Sequence, residues 1–289
     1  MAAMLIASRQ ESTTHSAPVQ WRDLVFLSRT EKIIELLHPL PWLFASVWLY
    51  SRGQLVLGAF ASFYFFLTGL RLSHGAQHYS IGVSRWMQDL VLFTLSALML
   101  GSMHAVQASH LHHHRHCLTE SDAEGATARL SWWRALLVGP LFPIRLHRAA
   151  WQLGNHRQRC WIAAELTAIA CVITAAFILP SPGLTIHVAA MLVGECFTGF
   201  FAVWTVHHHC DDAELPARTQ RGRWINLLSY NMFFHAEHHL YPAVPTCHLD
   251  QLAERLDAVN SKIRTKQVLA TGPIPPRLKP RPSATIHNS

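Results

Sequence analysis

"LTIHVAAMLVGECFTGFFAVWTVHHHC", residues 184–210, is an apolar run that stops at three consecutive histidines. A helix needs about 20 apolar residues to cross the hydrocarbon core of a bilayer. Residues 184–206 meet that length, and the histidines follow at once at the helix end. Glu195 interrupts the run; a carboxylate at membrane depth is expensive and marks a functional position. It lies two turns or more from the histidines. It is therefore read as the partner of another polar group or as part of a tunnel floor, not as a ligand.

Three more runs follow the same rule. Residues 33–50 carry Pro39 and Pro41 early, where a helix tolerates them. "SRGQ" (51–54) turns the chain into 55–72, and 161–179 is closed by "PSPG" before the run quoted above. The expected fold is an all-α integral membrane protein, with four transmembrane helices in two hairpins and a cytoplasmic cap carrying the histidine clusters. Composition agrees: hydrophobic residues make up 50% of the 289-residue chain and charged residues 14%, against about 25% charged in soluble domains. No period-2 alternation supports a membrane barrel.

The net charge is +7. Lys and Arg sit beside apolar runs, as suits a surface facing anionic lipid, and no basic helix points to nucleic acid. Arg9, Arg22, Arg29 and Lys32 precede the first run, and eight arginines from Arg85 to Arg159 fill the middle of the chain. Arg52 alone marks the first outer turn. By the positive-inside rule the lead-in, the middle segment and the tail face the cytoplasm. This predicts a multi-pass protein of a bacterial inner membrane, with residues 1–30 a polar cytosolic lead-in, 31–255 the membrane domain and 256–289 a polar, disordered tail. The six cysteines form no CxxC pair, which suits a reducing compartment. Residues 90–106 and 132–144 are apolar but awkward as crossings, and are expected as helices lying along or dipping into the cytoplasmic interface.

Most of the 21 histidines fall in four clusters: "HGAQH" (74–78), "HLHHHRH" (110–116), "HHHC" (207–210) and "HAEHHLYP" (235–242). Residues three and four apart share a helix face. His74 and His78 are so spaced, as are His110, His113 and His114, and again His235, His238 and His239. Each group can aim its imidazoles at one point, and together they exceed what one metal can use. Imidazole ligates iron, zinc, copper and nickel alike, so the residues alone specify two metals but not their identity. A lone histidine beside an apolar run is usually a hydrogen-bonded structural residue, and His15, His38, His104, His147, His156, His187 and His248 are read so. The zinc-protease HExxH is absent, and "PTCH" does not supply the PCxxC of a zinc deaminase.

"HGAQH", "HLHHH" and "NMFFHAEHHLYPAVP" resemble the HxxxH, HxxHH and HxxHH boxes of the membrane fatty-acid desaturase family. The likeness runs from the second membrane helix to about residue 250. It implies two irons held almost wholly by histidine, with His74, His78, His110, His113, His114, His235, His238 and His239 as ligands. It also implies one more ligand just beyond the last membrane helix, where His207 or His208 stands. Asn231, Glu237 and Asp211 are candidates to orient the ligands, with Asp122, Glu124 and Asp212 also near the boxes. No other catalytic residue is expected.

The implied reaction is O2-dependent desaturation of an acyl chain carried on lipid, CoA or an acyl-carrier protein. No haem-binding or flavin motif is present, so electrons are expected from a separate protein such as ferredoxin, rubredoxin or cytochrome b5 with its reductase. An acyl hydroxylase on the same site is the first alternative, and a non-catalytic metal-binding or metal-transport membrane protein the second. Arg218, Arg221 and Arg223 are read as a positive anchor to the membrane, or else as a site for an acidic headgroup, a phosphate or an acidic donor.

Overall fold

The structure is a computed structural model that describes residues 19–210 and 215–269, and among them the regular elements are all helices, beside one isolated bridge between Thr219 and Gln267. Four helical segments are long and apolar enough to cross a membrane: Arg29–Ser51, Leu55–Gln77, His156–Ile178 and Pro182–His207. The first is made of α1 (Arg29–Leu37) and α2 (Leu40–Ser51), separated at Pro39. Ser28 starts it with a capping box: its Oγ accepts from Glu31 N, and Glu31 Oε2 accepts from Ser28 N. Bonds from His38 N to Ile34 O and from Leu43 N to Pro39 O carry the ladder past the proline.

The turn into α3 (Leu55–Gln77) uses Gly53 at φ +72°. α3 extends beyond the expected end at residue 72, because the first histidine box continues it to the caps at His78. α8 (His156–Ile178) begins at an Asn155–Gln158 capping box, and α9 (Pro182–Thr198) begins with Pro182 in its first turn. Phe65, Leu72, Ile169, Val188 and Met191 from these helices share one buried core. Their other faces expose Phe44, Trp48, Val56, Phe63, Phe177 and Val193. Such apolar surface around a helical bundle is what lipid covers.

α3 is followed by α4 (Arg85–Met99) and α5 (Met103–His116), with a bend of 112° between them. The single helix expected over 90–106 is thus corrected to a broken pair. Leu100 adopts φ +66°, a left-handed conformation that ends α4. α4 is also a core element, since Leu92 and Met99 are fully buried among the spans. A polar network holds the bend. Ser102 Oγ and the His104 N–H donate to Glu165 of α8, His104 Nδ1 lies 2.6 Å from Glu165 Oε1, and His104 Nε2 lies 3.2 Å from Asp89. Arg157 pairs with the same aspartate, and the His104 ring stacks on Trp161. Glu195 of α9 packs on this bend, where a Cβ on Gly101 would come within 2.7 Å of its Oε1.

Next come α6 (Trp132–Leu137) and α7 (Phe142–Leu153). α7 buries Phe142, Leu146 and Ala150, and leaves Ile144, Trp151 and Leu153 exposed. After α9 the helix does not continue regularly: Gly199–Trp204 is a π-helical turn leading to α10 (Thr205–His207). Beyond it come α11 (Arg223–Leu228), α12 (His235–Leu240) and α13 (Leu249–Val259); α12, α13 and the segments flanking them build a second core from Phe234, Val244, Leu249, Leu252 and Leu256. Leu24 packs into that core, and His248 Nδ1 donates to its carbonyl.

Candidate metal centre

Four elements deliver the histidines. α3 ends in His74 and His78, α5 carries box two, α10 ends in His207, and α12 is box three. They converge in two groups. His74, His78, His110, His114 and His238 each offer a ligand atom within 4.8 Å of the others; so do His113, Cys117, His207 and His239. His235 joins the second group, with its Nε2 2.9 Å from His207 Nε2 and 3.2 Å from His239 Nε2. The groups interleave because neighbours on one helix diverge: α5 sends His110 and His114 one way and His113 the other.

Ring nitrogens meet ring nitrogens here. His114 Nε2 lies 3.2 Å from His110 Nε2 and 3.1 Å from His238 Nε2, and His113 Nε2 lies 3.2 Å from His207 Nε2. His74 Nε2 and His78 Nε2 are buried without any hydrogen-bond partner. Buried nitrogen lone pairs aimed at one another are costly unless a cation sits among them. Two metal ions fit this donor set. Nitrogen ligands sit about 2.0–2.1 Å from an ion, so the spacings are those of side chains poised around one. Burial and the neighbouring imidazoles push the His235, His238 and His239 pKa values well below the usual histidine range. That keeps them neutral, the form that ligates.

The opposite edges of three rings are held. His110 Nδ1 donates to Glu124 Oε1 at 2.8 Å, His113 Nδ1 to Asp122 Oδ2 at 2.7 Å, and His207 Nδ1 to the Pro216 carbonyl at 2.7 Å. Donation from Nδ1 fixes the tautomer and leaves the Nε2 lone pair facing the cluster. Burial by itself raises the Asp122 carboxyl. The hydrogen bond and charge of His113 and the N–H groups of Gly125 and Leu118 outweigh that and bring it down to about 2. Gly125 is required beside it, because a Cβ there would stand 2.2 Å from Asp122 Oδ2.

A family model described as "Fatty acid desaturase" matches residues 42–266, more than three-quarters of the chain. The chain belongs to the fatty acid desaturase family. No curated protein matches it. Family membership and the two clusters together support a di-iron desaturase- or hydroxylase-type oxidoreductase.

The desaturase boxes account for eight of the ring positions: His74, His78, His110, His113, His114, His235, His238 and His239 all turn into the clusters. Between the two residues weighed beyond the last span, His207 enters and His208 does not. His208 Nδ1 donates to the Ala128 carbonyl at 2.8 Å, and its ring stacks on Trp204. The π-helical turn sets this phase, since an inserted residue rotates everything after it by about 100°. His112 also turns away, against His116.

The residues expected to orient the ligands fare differently. Glu237 lies between two box-three histidines yet bonds Thr219 and Arg221 instead. Asn231 adopts φ +62°, and its N–H bonds the Asn226 carbonyl, so its place is explained by a left-handed turn. Asp211 and Asp212 lie outside the described residues. Glu124 and Asp122 take the orienting positions.

Arg221 is corrected as well. It is 11% exposed and bridges Glu237 and Asp257, which ties α12 to α13 and leaves it no lipid-facing role. Arg218 Nε donates to the His208 carbonyl, and Arg223 alone of the three stays exposed, against Trp224. Cys117 is a cluster member that the sequence reading does not name. It stands four residues after His113, on the same helix face, and its Sγ is 3.7 Å from His113 Nε2.

Proposed function

We propose that this protein is an O2-dependent di-iron acyl desaturase, which introduces a double bond into the acyl chain of a lipid, an acyl-CoA or an acyl-carrier protein. The observation that carries the reading is the paired cage of buried Nε2 atoms, backed at Nδ1 by Glu124 and Asp122. His74, His78, His110, His114 and His238 would hold one iron; His113, His207, His235 and His239 would hold the other. Iron with O2 supplies an oxidant strong enough to remove hydrogen from an unactivated methylene.

The chain's own residues do the rest. The imidazoles are neutral ligands, so the metal charge is left uncompensated close in, and the carboxylates of Glu124 and Asp122 balance it from one ring away. The π turn and Asp122 hold His207 and His113 in register with box three. The cage is buried, which keeps bulk water from the reacting carbons. The four apolar helices hold it at a membrane. We place its histidine-bearing end on the cytoplasmic side, as the arginine distribution implies, with the helices paired as two hairpins. Ferredoxin, rubredoxin or cytochrome b5 with its reductase would be protein donors able to supply the electrons.

The test is mass spectrometry of acyl lipids from aerobic cells expressing the intact chain or His238→Ala. Loss of two hydrogens from an acyl chain, present only with the intact protein, is the expected result. Gain of one oxygen instead would make it a hydroxylase. Stable zinc without turnover would favour a metal-binding protein and overturn the enzyme reading.

A further inference from the structure

A cavity of about 500 Å³ lies between the first two spans and α11, outside the metal cage. Trp42 and Tyr64 stack at 4.8 Å on its wall, with His38 and Tyr230 meeting edge to face beside them. Its rim residues Phe60, Leu227 and Leu228 are 55%, 60% and 60% exposed, on the apolar flank of the bundle. It is a ring-lined slot that opens where lipid would lie.

Charge limits what fits. The guanidinium on the wall, Arg71, gives Nε and Nη2 to Glu35 and Nη1 to the Tyr230 carbonyl. Its charge is matched by that carboxylate, so a phosphate or a CoA diphosphate finds no free cation in Arg71. Hydrogen bonding limits it further. Asn226 is 5% exposed, and its Nδ2 donates to the Gln220 carbonyl at 2.9 Å. That bond fixes the amide and leaves Oδ1 as a buried acceptor with no partner; His38 Nδ1 has none either. An acyl ester or thioester carries only acceptors and cannot satisfy Asn226, whereas a ring hydroxyl can. Trp42 Nε1 donates to Tyr230 Oη, which leaves the Tyr230 hydrogen for a carbonyl oxygen. The wall can thus serve both the hydroxyl and the carbonyl form of a ring.

Both walls run into the cage. Tyr64 and Arg71 precede His74 on α3, and Asn226 and Tyr230 precede His235. We propose that this cavity binds the ring of a membrane-soluble quinol, and that the quinol is a reductant for the reaction proposed above, on which the inference rests. The electrons balance. The quinol loses two O–H hydrogens as two electrons and two protons and becomes a quinone. The acyl chain loses two hydrogens in the same currency and gains a double bond. O2 takes up the four electrons and four protons and leaves as two waters.

The test uses the purified, iron-loaded full chain. Decylubiquinol, which carries the ring hydroxyls that Asn226 requires, is titrated without oxygen into the chain with its iron already reduced, and a ring-azido analogue is photolysed and its attachment mapped by peptide mass spectrometry. The expected result is saturable labelling of peptides containing residues 38–42 and 226–230, with binding weakened about tenfold by Asn226→Leu. Tyr230→Phe, which removes only a hydroxyl, should weaken it less, and unchanged iron content in both variants shows that they fold. Anaerobic decylubiquinol should reduce oxidised iron at one quinol per two irons. Labelling that does not saturate, spreads over all the spans, or is displaced by acyl phospholipid would overturn the proposal; displacement would make the cavity a lipid groove. Quinol binding and iron reduction without any acyl product would overturn the desaturase reading alone. Desaturation driven by a protein donor, with no quinol binding, would overturn this proposal alone.

Discussion

Two regions of this protein bury histidine beside carboxylate, and they do opposite things with it. At the bend between α4 and α5, His104 has a carboxylate at each nitrogen: Glu165 at Nδ1 and Asp89 at Nε2. In the cage, His110 and His113 have a carboxylate at Nδ1 only, and their Nε2 atoms face other imidazoles. A ring satisfied on both edges by carboxylates needs nothing further and serves as a structural pin. A ring satisfied on one edge presents a lone pair and serves as a ligand. The difference is where the second acid lies.

Removing a ligand should break the comparison most severely. His110→Ala is expected to abolish acyl product, at least about 100-fold, and to lower bound iron from two per chain. His208→Ala, on the ring beyond the π turn, should keep both ions. Metal analysis of the two proteins side by side checks it; equal losses would mean that His208 also ligates. Removing the carboxylate behind a ligand is the next test. Glu124→Gln and Asp122→Asn should each weaken metal binding about 10–100-fold, read by competition with a chelator. No change would mean that these acids only stabilise the loop.

The bend should answer in the other coordinate. Glu165→Ala leaves a fully buried His104 without its shorter partner, and breaking such a pair costs about 3–5 kcal/mol. Thermal unfolding should shift down, while the folded fraction keeps its full iron. If iron is lost instead, the pin is coupled to the cage. Cys117→Ala should have the smallest effect, less than about tenfold on metal affinity, because the other three members of its group are imidazoles. Loss of an ion on that change would make the thiolate a ligand.

The cage was legible because its signal is local. Box spacings of three and four residues place rings on one face of a helix wherever that helix goes. The four spans were legible for the same reason, as a run of side chains long enough to cross a bilayer. What was not legible depends on contacts far apart in the chain. His104 and Glu165 are 61 residues apart, and no spacing joins them. Leu100 gives no hint of a left-handed backbone, so the sequence predicts continuous helix where the structure bends. Glu237 is adjacent to a ligand in sequence, which suggests a helper, whereas in the fold Arg221 holds it. The choice of His207 over His208 hung on one extra residue in a turn.

The interleaving of the two groups has a consequence for assembly. α5 contributes His110 and His114 to one group and His113 to the other; α12 contributes His238 to one and His239 to the other. Whichever ion arrives first fixes the rotation of both helices, and that fixes the remaining donors as well. The second ion would then enter a site already organised, so cooperative loading with few half-filled chains is the expected outcome. Titration of the metal-free protein should give a sigmoidal curve. In a cell short of iron, the population would divide into fully loaded and empty molecules rather than dilute into singly loaded ones.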